Sequence, residues 1–193
     1  LQYSFELVPV SVSESFRIWR DYVGGVCKTR RIELVVDDFE MDGPWLLADG
    51  EALDKVGLNF LSNAIKYTPE GGRIRVGAVL GESTIRIEVE DTGAGIPEEN
   101  LEDVFALFGQ VHGGTGTSYA GTGVGLALAS ELAERMAGRV GCESTVGEGS
   151  TFFLELDRCP GPRPLVDILL VDDDVGMLKM VGMSMSDYGT VHT

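Results

Sequence analysis

Three short stretches of this sequence group residues that can bind and orient a charged ligand. Residues 120–126 read AGTGVGL, with Gly121, Gly123 and Gly125 at alternate positions before a helical pattern. Such a stretch leaves backbone N–H groups bare at a helix N-terminus, where orphan donors and the positive dipole end suit an anion such as phosphate. Residues 59–67 read NFLSNAIKY, and Asn59, Asn63 and Lys66 recur at i, i+4 and i+7, one stripe of a helix. Two carboxamides one turn apart offer oxygens to a hard cation or to water on a phosphate, and the lysine offers a point charge. Residues 89–97 read VEDTGAGIP, so Asp91 ends an alternating strand just before a glycine turn. A carboxylate fixed there can accept from an exocyclic amine, with Ile96 and the bare glycines forming a flat apolar slot. Each stretch alone also fits a blander reading: a close-packing turn, a solvated helix face, an Asp opening a turn.

The elements that would position these groups follow from periodicity. Residues 3–12 read as a strand whose proline suggests an edge. A helix follows from residue 13, with Ser13 as its cap and Phe16, Ile18, Trp19 and Val23 as its apolar side. Residues 31–39 form a second strand, and 51–68 a helix stopped by Pro69 and the Gly71–Gly72 turn. In that helix Val56, Phe60, Leu61 and Ala64 share an arc that faces a core. Residues 72–80 and 83–91 alternate as a hairpin, and residues 97–108 start a helix with Pro97 in its first turn. Residues 109–123, rich in Gly, Ser and Thr, read as a mobile loop, with 107–120 as a lid. A helix over 124–137 and a closing hairpin, 138–144 with 149–157, complete this part. RCPGPRP at 158–164 reads as a linker. Beyond it, LVDILLVDDD at 165–174 has the pattern of a buried parallel strand, followed by a helical segment from about Gly176 to Tyr188.

Composition narrows the function. The chain has 193 residues, 44% of them apolar, enough for one sizeable domain and part of another. Acids outnumber bases 31 to 15, a formal charge of −16, which argues against a nucleic-acid partner. Cys27, Cys142 and Cys159 lack C-x-x-C spacing and read as free thiols in a reducing compartment, with no zinc site. No apolar run approaches the length of a membrane span. The chain begins at Leu1 and is expected to be a cytoplasmic piece of a longer protein, which could itself be membrane-anchored.

Taken in order, NFLSNAIKY, DTGAGIP, VFALFGQV, GTGVGLALA and GEGSTF resemble the N, glycine, F, second glycine and closing boxes of histidine kinase ATP-binding domains. The resemblance covers nearly all of residues 1–157. It implies a two-layer α/β sandwich, a mixed sheet of about five strands with three helices on one face. It implies that Asp91 reads the adenine amine, with Thr151 helping through water and Gly93, Gly95 and Ile96 shaping the slot. Asn59 and Asn63 would hold Mg²⁺ and the phosphates of ATP, beside Lys66 and Tyr67. Gly121, Thr122, Gly123, Val124, Gly125 and Leu126 would cradle the phosphate tail. The segment ILLVDDD resembles the first strand of a response-regulator receiver, with Asp172 and Asp173 matching that family's Mg²⁺-holding acid pair. An ATPase domain over 1–157, a linker over 158–164 and the start of a receiver over 165–193 look like a hybrid histidine kinase. Such a protein is expected to form a homodimer and to pass phosphate to a receiver or response regulator.

Two features depart from that family. Neither His112 nor His192 stands in the phosphoacceptor His-Glu helical setting, so the dimerisation domain is expected before Leu1. From Ile87 through Glu134 there is no Lys or Arg to neutralise charge on a transferring phosphate. The bare lid leaves open a noncatalytic nucleotide-binding regulator. The gyrase- and chaperone-type ATPases of the same superfamily are a third reading. They use a Glu where this chain has Asn59, and Asn cannot act as a general base.

Overall fold

The computed structural model describes residues 5–39, 43–106, 124–162, 166–169 and 189–192. It divides into two compact units, Leu1–Gly161 and Pro162–Thr193.

In the first unit, β1 (Val8–Ser11) leads into α1 (Val12–Thr29), then β2 (Glu33–Val36), β3 (Trp45–Ala48) and α2 (Gly50–Tyr67). The hairpin β4 (Arg73–Leu80) and β5 (Thr84–Asp91) follows, with a single 3₁₀ turn at Glu98–Asn100, α3 (Gly125–Arg135), β6 (Arg139–Thr145) and β7 (Gly149–Cys159). The described strands form one seven-stranded mixed sheet in the order β1-β3-β7-β5-β4-β2, with β6 also on β7. Only β2 and β4 run parallel; the other pairs are antiparallel. The helices pack on it to make a two-layer sandwich. Along β5, residues Ile85, Ile87, Val89 and Asp91 are buried in strict alternation, which marks the covered face. On α2 the residues Val56, Phe60, Leu61 and Ala64 are all buried, as their arc predicts.

Several expectations are corrected. The sheet has seven strands where the resemblance implies about five; six of them match strands read from the sequence, and the seventh, β3, is a four-residue run too short to carry a readable period. Pro9 does lie on an edge, since β1 ends the sheet. Residues 97–106 make only the 3₁₀ turn and further turns rather than a helix. Four acids, Glu98, Glu99, Glu102 and Asp103, leave Val104 as the sole buried anchor there, too little to offset a costly helix nucleus. Strand β7 continues to Cys159, and its Arg158 and Cys159 pair with Leu46 and Trp45, so the first two residues of the proline-rich segment belong to the sheet.

The cap of α1 is Ser11, not Ser13. The Ser11 side chain accepts the Glu14 N–H at 3.3 Å, whereas the Ser13 hydroxyl is buried without a hydrogen-bond partner. Ser11→Ala is therefore expected to destabilise the domain by about 1 kcal/mol, roughly 2–4 °C in Tm. Ser13→Ala is expected to be neutral or stabilising, since it removes an unpaired buried hydroxyl. Thermal melts of the two variants read this directly, and an equal loss from both would contradict the assignment.

The helices α1 and α2 meet through glycine. Gly57 leaves room for the fully buried Trp19 ring, which any Cβ there would strike. The Trp19 indole donates to Asp54 at 2.7 Å. That contact fixes the angle of α2, the helix that carries Asn59 and Asn63.

In the second unit, β8 (Val166–Leu169) and β9 (Gly189–His192) pair in parallel, Val166 opposite Gly189 through Leu169 opposite His192. A parallel pair agrees with the pattern of residues 165–174. The helical segment near 176–188 and the acids Asp172 and Asp173 lie outside the described residues.

Candidate functional site

The described residues of the five box segments converge between α2 and the ends of β5, β6 and β7. Asp91, the last residue of β5, is 5% exposed and stands directly opposite Ser150 of β7. Its Oδ1 accepts the Gly93 N–H at 2.8 Å, and the Ser150 N–H also bonds the carboxylate. Burial pushes the Asp91 carboxyl above the usual carboxylate range, the two N–H bonds hold it back, and the neighbouring Glu90 charge adds to the rise. Among the described residues these are its two backbone donors, and a carboxylate has lone pairs for more.

Glycines let the loop after Asp91 fold tightly around this point. Gly93 lies so close that a Cβ there would stand 2.6 Å from Asp91 Oδ1 and 2.8 Å from the Tyr67 carbonyl oxygen. This contact docks the loop on the end of α2. Gly95 adopts φ +69° and abuts the Thr145 carbonyl. Ile96 donates its N–H to the Ser144 hydroxyl at 2.8 Å, and Gly147 N–H bonds the Ala94 carbonyl at 2.8 Å. The turn and the β6–β7 hairpin thus form one wall. Phe152, on the covered face of β7, packs against Phe60 of α2 with ring centroids 5.6 Å apart and against Phe105 at 6.2 Å. Cys142 stands opposite Phe152, its thiol pushed up to about 12 by burial and by the Asp91 and Glu143 charges, so it stays neutral.

On α2, Asn59 and Asn63 face one another, with Asn63 Nδ2 donating to Asn59 Oδ1 at 3.4 Å. Gly125, the first residue of α3, touches the Asn59 amide so closely that no Cβ fits. Lys66 Nζ bonds the Tyr67 hydroxyl at 3.0 Å and sits 4.7 Å from that ring's centroid. Val124 and Leu126 flank Gly125 at the start of α3, whose first turn has no side-chain cap. Among the described residues no side chain accepts from its first turn, and such N–H groups can serve an anion.

Thr151 does not join Asp91. It pairs with Glu90, one residue out of phase with the Asp91–Ser150 pair, so the pleat sends it to the other face. Ser150 takes the place beside the carboxylate. Sequence reasoning missed both Ser150 and Ser144, although the register implied by ending β5 at Asp91 held the signal for the first. Gly121, Thr122 and Gly123, the lid over 107–120 and His112 lie outside the described residues. So does the side chain of His192. Among the described residues no group of three His, Cys, Asp or Glu could hold a metal ion, and no helix is long and apolar enough to cross a membrane. A separate groove in the first unit is lined by Trp45, Glu82, Arg158 and Pro160 and carries no such convergence.

Comparison with known proteins places this arrangement. Residues 48–160 match the histidine kinase-, DNA gyrase B- and HSP90-like ATPases. The sensor histidine kinase AruS of Pseudomonas aeruginosa is 39% identical over 136 residues, 63% of this chain and 14% of AruS. The aerobic respiration control sensor protein ArcB of Escherichia coli is 37% identical over 145 residues, 66% of this chain and 18% of ArcB. The chain therefore spans less than a fifth of either relative. Among solved structures, the catalytic domain of histidine kinase ThkA superposes with a TM-score of 0.68 at 25% identity, covering 80% of this chain and 97% of that domain. Full-length ShkA in complex with AMPPNP shares the fold with a TM-score of 0.71 at 24% identity, over 100% of this chain and 41% of ShkA. With the matched span holding Asn59, Asp91 and the β6–β7 hairpin in one cluster, the chain belongs to this ATPase family and carries an ATP-binding catalytic domain of the histidine kinase type.

Proposed function

We propose that this chain is the phosphoryl-donating part of a hybrid sensor histidine kinase. It would bind ATP with Mg²⁺ and pass the γ-phosphate to a histidine on a dimerisation domain outside this chain, within a homodimer. From there the phosphate would go to a receiver domain or response regulator. The observation that carries the reading is the buried Asp91 carboxylate. Its two described backbone bonds leave lone pairs unused, and Ile96, Phe105 and Phe152 on the neighbouring segments are proposed as the apolar slot for an adenine ring, whose amine would bond the carboxylate.

The phosphate end rests on Asn59, Asn63 and Lys66, with Gly121 to Gly125 proposed as the backbone cradle. Neutral amide oxygens suit Mg²⁺ arriving with its phosphates, because that ion is usually bound by few protein ligands and keeps the rest of its shell for phosphate and water. Bound there, the ion would offset charge on the transferring phosphoryl group. Asn63 Nδ2 is occupied by Asn59, which leaves Asn63 Oδ1 as the free donor to the cation. Asn63→Ala is accordingly expected to weaken ADP binding in magnesium by about tenfold, and much less in EDTA. Equal losses in both titrations would remove Asn63 from the metal site.

The absence of Lys and Arg from Ile87 to Glu134 favours one second reading, a nucleotide-binding regulator that does not transfer phosphate. Incubation with labelled ATP and a supplied His-bearing helical hairpin separates the two. Phosphohistidine on the hairpin supports the kinase; tight nucleotide binding without transfer to any cognate hairpin supports the regulator. The chain alone is expected to acquire no label.

A further inference from the structure

The hydroxyl of Ser144 makes three contacts with one proton. It accepts the Ile96 N–H at 2.8 Å, donates to the Gly149 carbonyl at 2.8 Å and lies 2.9 Å from the Ser150 hydroxyl. A hydroxyl has one donor and two lone pairs. The Gly149 carbonyl can only accept, so the Ser144 proton is spent there, and one lone pair is spent on Ile96. The remaining contact can then be made only if Ser150 donates its own proton to Ser144. Ser150 is 7% exposed and faces Asp91 across the β5–β7 ladder. Its hydroxyl is left presenting lone pairs alone, beside a carboxylate that also only accepts.

We infer that Ser144 is a positioning residue for base selection: by fixing the proton of Ser150, it makes the edge of the site beside Asp91 wholly hydrogen-bond accepting. Such an edge takes a base with an amine at its six-position, directly or through one water. It disfavours a base with a carbonyl there, because the carbonyl meets only acceptors and the N–H that such a base carries at its one-position can serve just one of them. This rests on the proposed adenine site at Asp91. Free of Ser144, the Ser150 hydroxyl could turn its proton outward and donate to a carbonyl.

The test is calorimetry with ADP and inosine diphosphate, which differ by amine against carbonyl at the six-position and, with it, by a bare nitrogen against an N–H at the one-position. The parent is expected to prefer ADP. Ser144→Ala is expected to shrink that preference roughly fivefold, the scale of one neutral hydrogen bond, while Ser144→Thr, which keeps the hydroxyl, restores it. Ser150→Ala leaves the Ile96–Ser144 bond in place and is expected to weaken ADP but not inosine diphosphate. Equal weakening of both nucleotides in Ser144→Ala and Ser150→Ala, or no change in either, would overturn the role of Ser144. A merely structural role would move both nucleotides together. A parent that binds neither nucleotide would instead overturn the adenine site itself.

Discussion

Asp91→Asn is expected to lower ADP affinity about tenfold or more while leaving the fold in place. A hydrogen bond to a charged group contributes on the order of 1.5–3 kcal/mol, and 1.4 kcal/mol is a factor of ten. The fold does not need the charge. Burial is the largest cause of the raised Asp91 pKa, so ionisation of this group opposes folding. With its folded pKa above the unfolded value, Asp91 favours the folded state most at low pH, and that contribution is lost as pH rises through the folded pKa. At neutral pH the nucleotide-free variant should therefore melt within about 4 °C of the parent, a change of no more than roughly 1 kcal/mol. Binding has the opposite sign. ADP affinity of the parent should fall on acidification, beginning above the ordinary carboxylate range, and the variant should lack that fall. Calorimetry across pH measures both, and equal affinities in parent and variant would exclude Asp91 from the site.

Gly149→Ala is expected to damage the fold itself, by about 3 kcal/mol or more. Gly149 holds φ +127°, and a Cβ there would lie inside contact distance of the Asp91 carbonyl oxygen and 3.0 Å from Thr92 Cα. Strain in that region costs on the order of 1–3 kcal/mol, and a clash between two backbones cannot be relieved by turning a side chain. The loss corresponds to roughly 6–12 °C in Tm. The same substitution at Gly25, in the middle of α1 with nothing within 4 Å, should instead raise stability by up to about 1 kcal/mol. Thermal melts of the pair decide it: a Gly149→Ala variant as stable as the parent would mean that β5 and β7 do not meet as described.

The parts of the fold legible in the sequence are those with a long period. The helix α2 repeats its apolar arc over five turns, β5 alternates through all eight of its residues, and β4 alternates over its first four, the two joined by a short turn. The strand β3 escaped because WLLA is four residues long and owes its place to pairing with β1 and β7, contacts distant in sequence. The 97–106 segment misled because Pro97 and its acids look like a helix start, while Val104 is its one buried residue, with Phe105 packed partly buried on Phe152. At the candidate site, Asn59, Asn63 and Asp91 could be picked out by residue type, and the chemistry proposed for them rests on that reading. Ser144 and Ser150 could not, because a serine acquires direction only from the groups around it. Thr151 was preferred to Ser150 although one residue in a strand decides the face.

The most direct test of the account is a crystal structure of this chain with Mg²⁺ and a nonhydrolysable ATP analogue. The account predicts the adenine amine within hydrogen-bond distance of the Asp91 carboxylate, the ring between Ile96 and Phe152, and the metal on Asn63. A nucleotide bound elsewhere, such as the groove of Trp45 and Arg158, with the Asp91 slot empty, would contradict it.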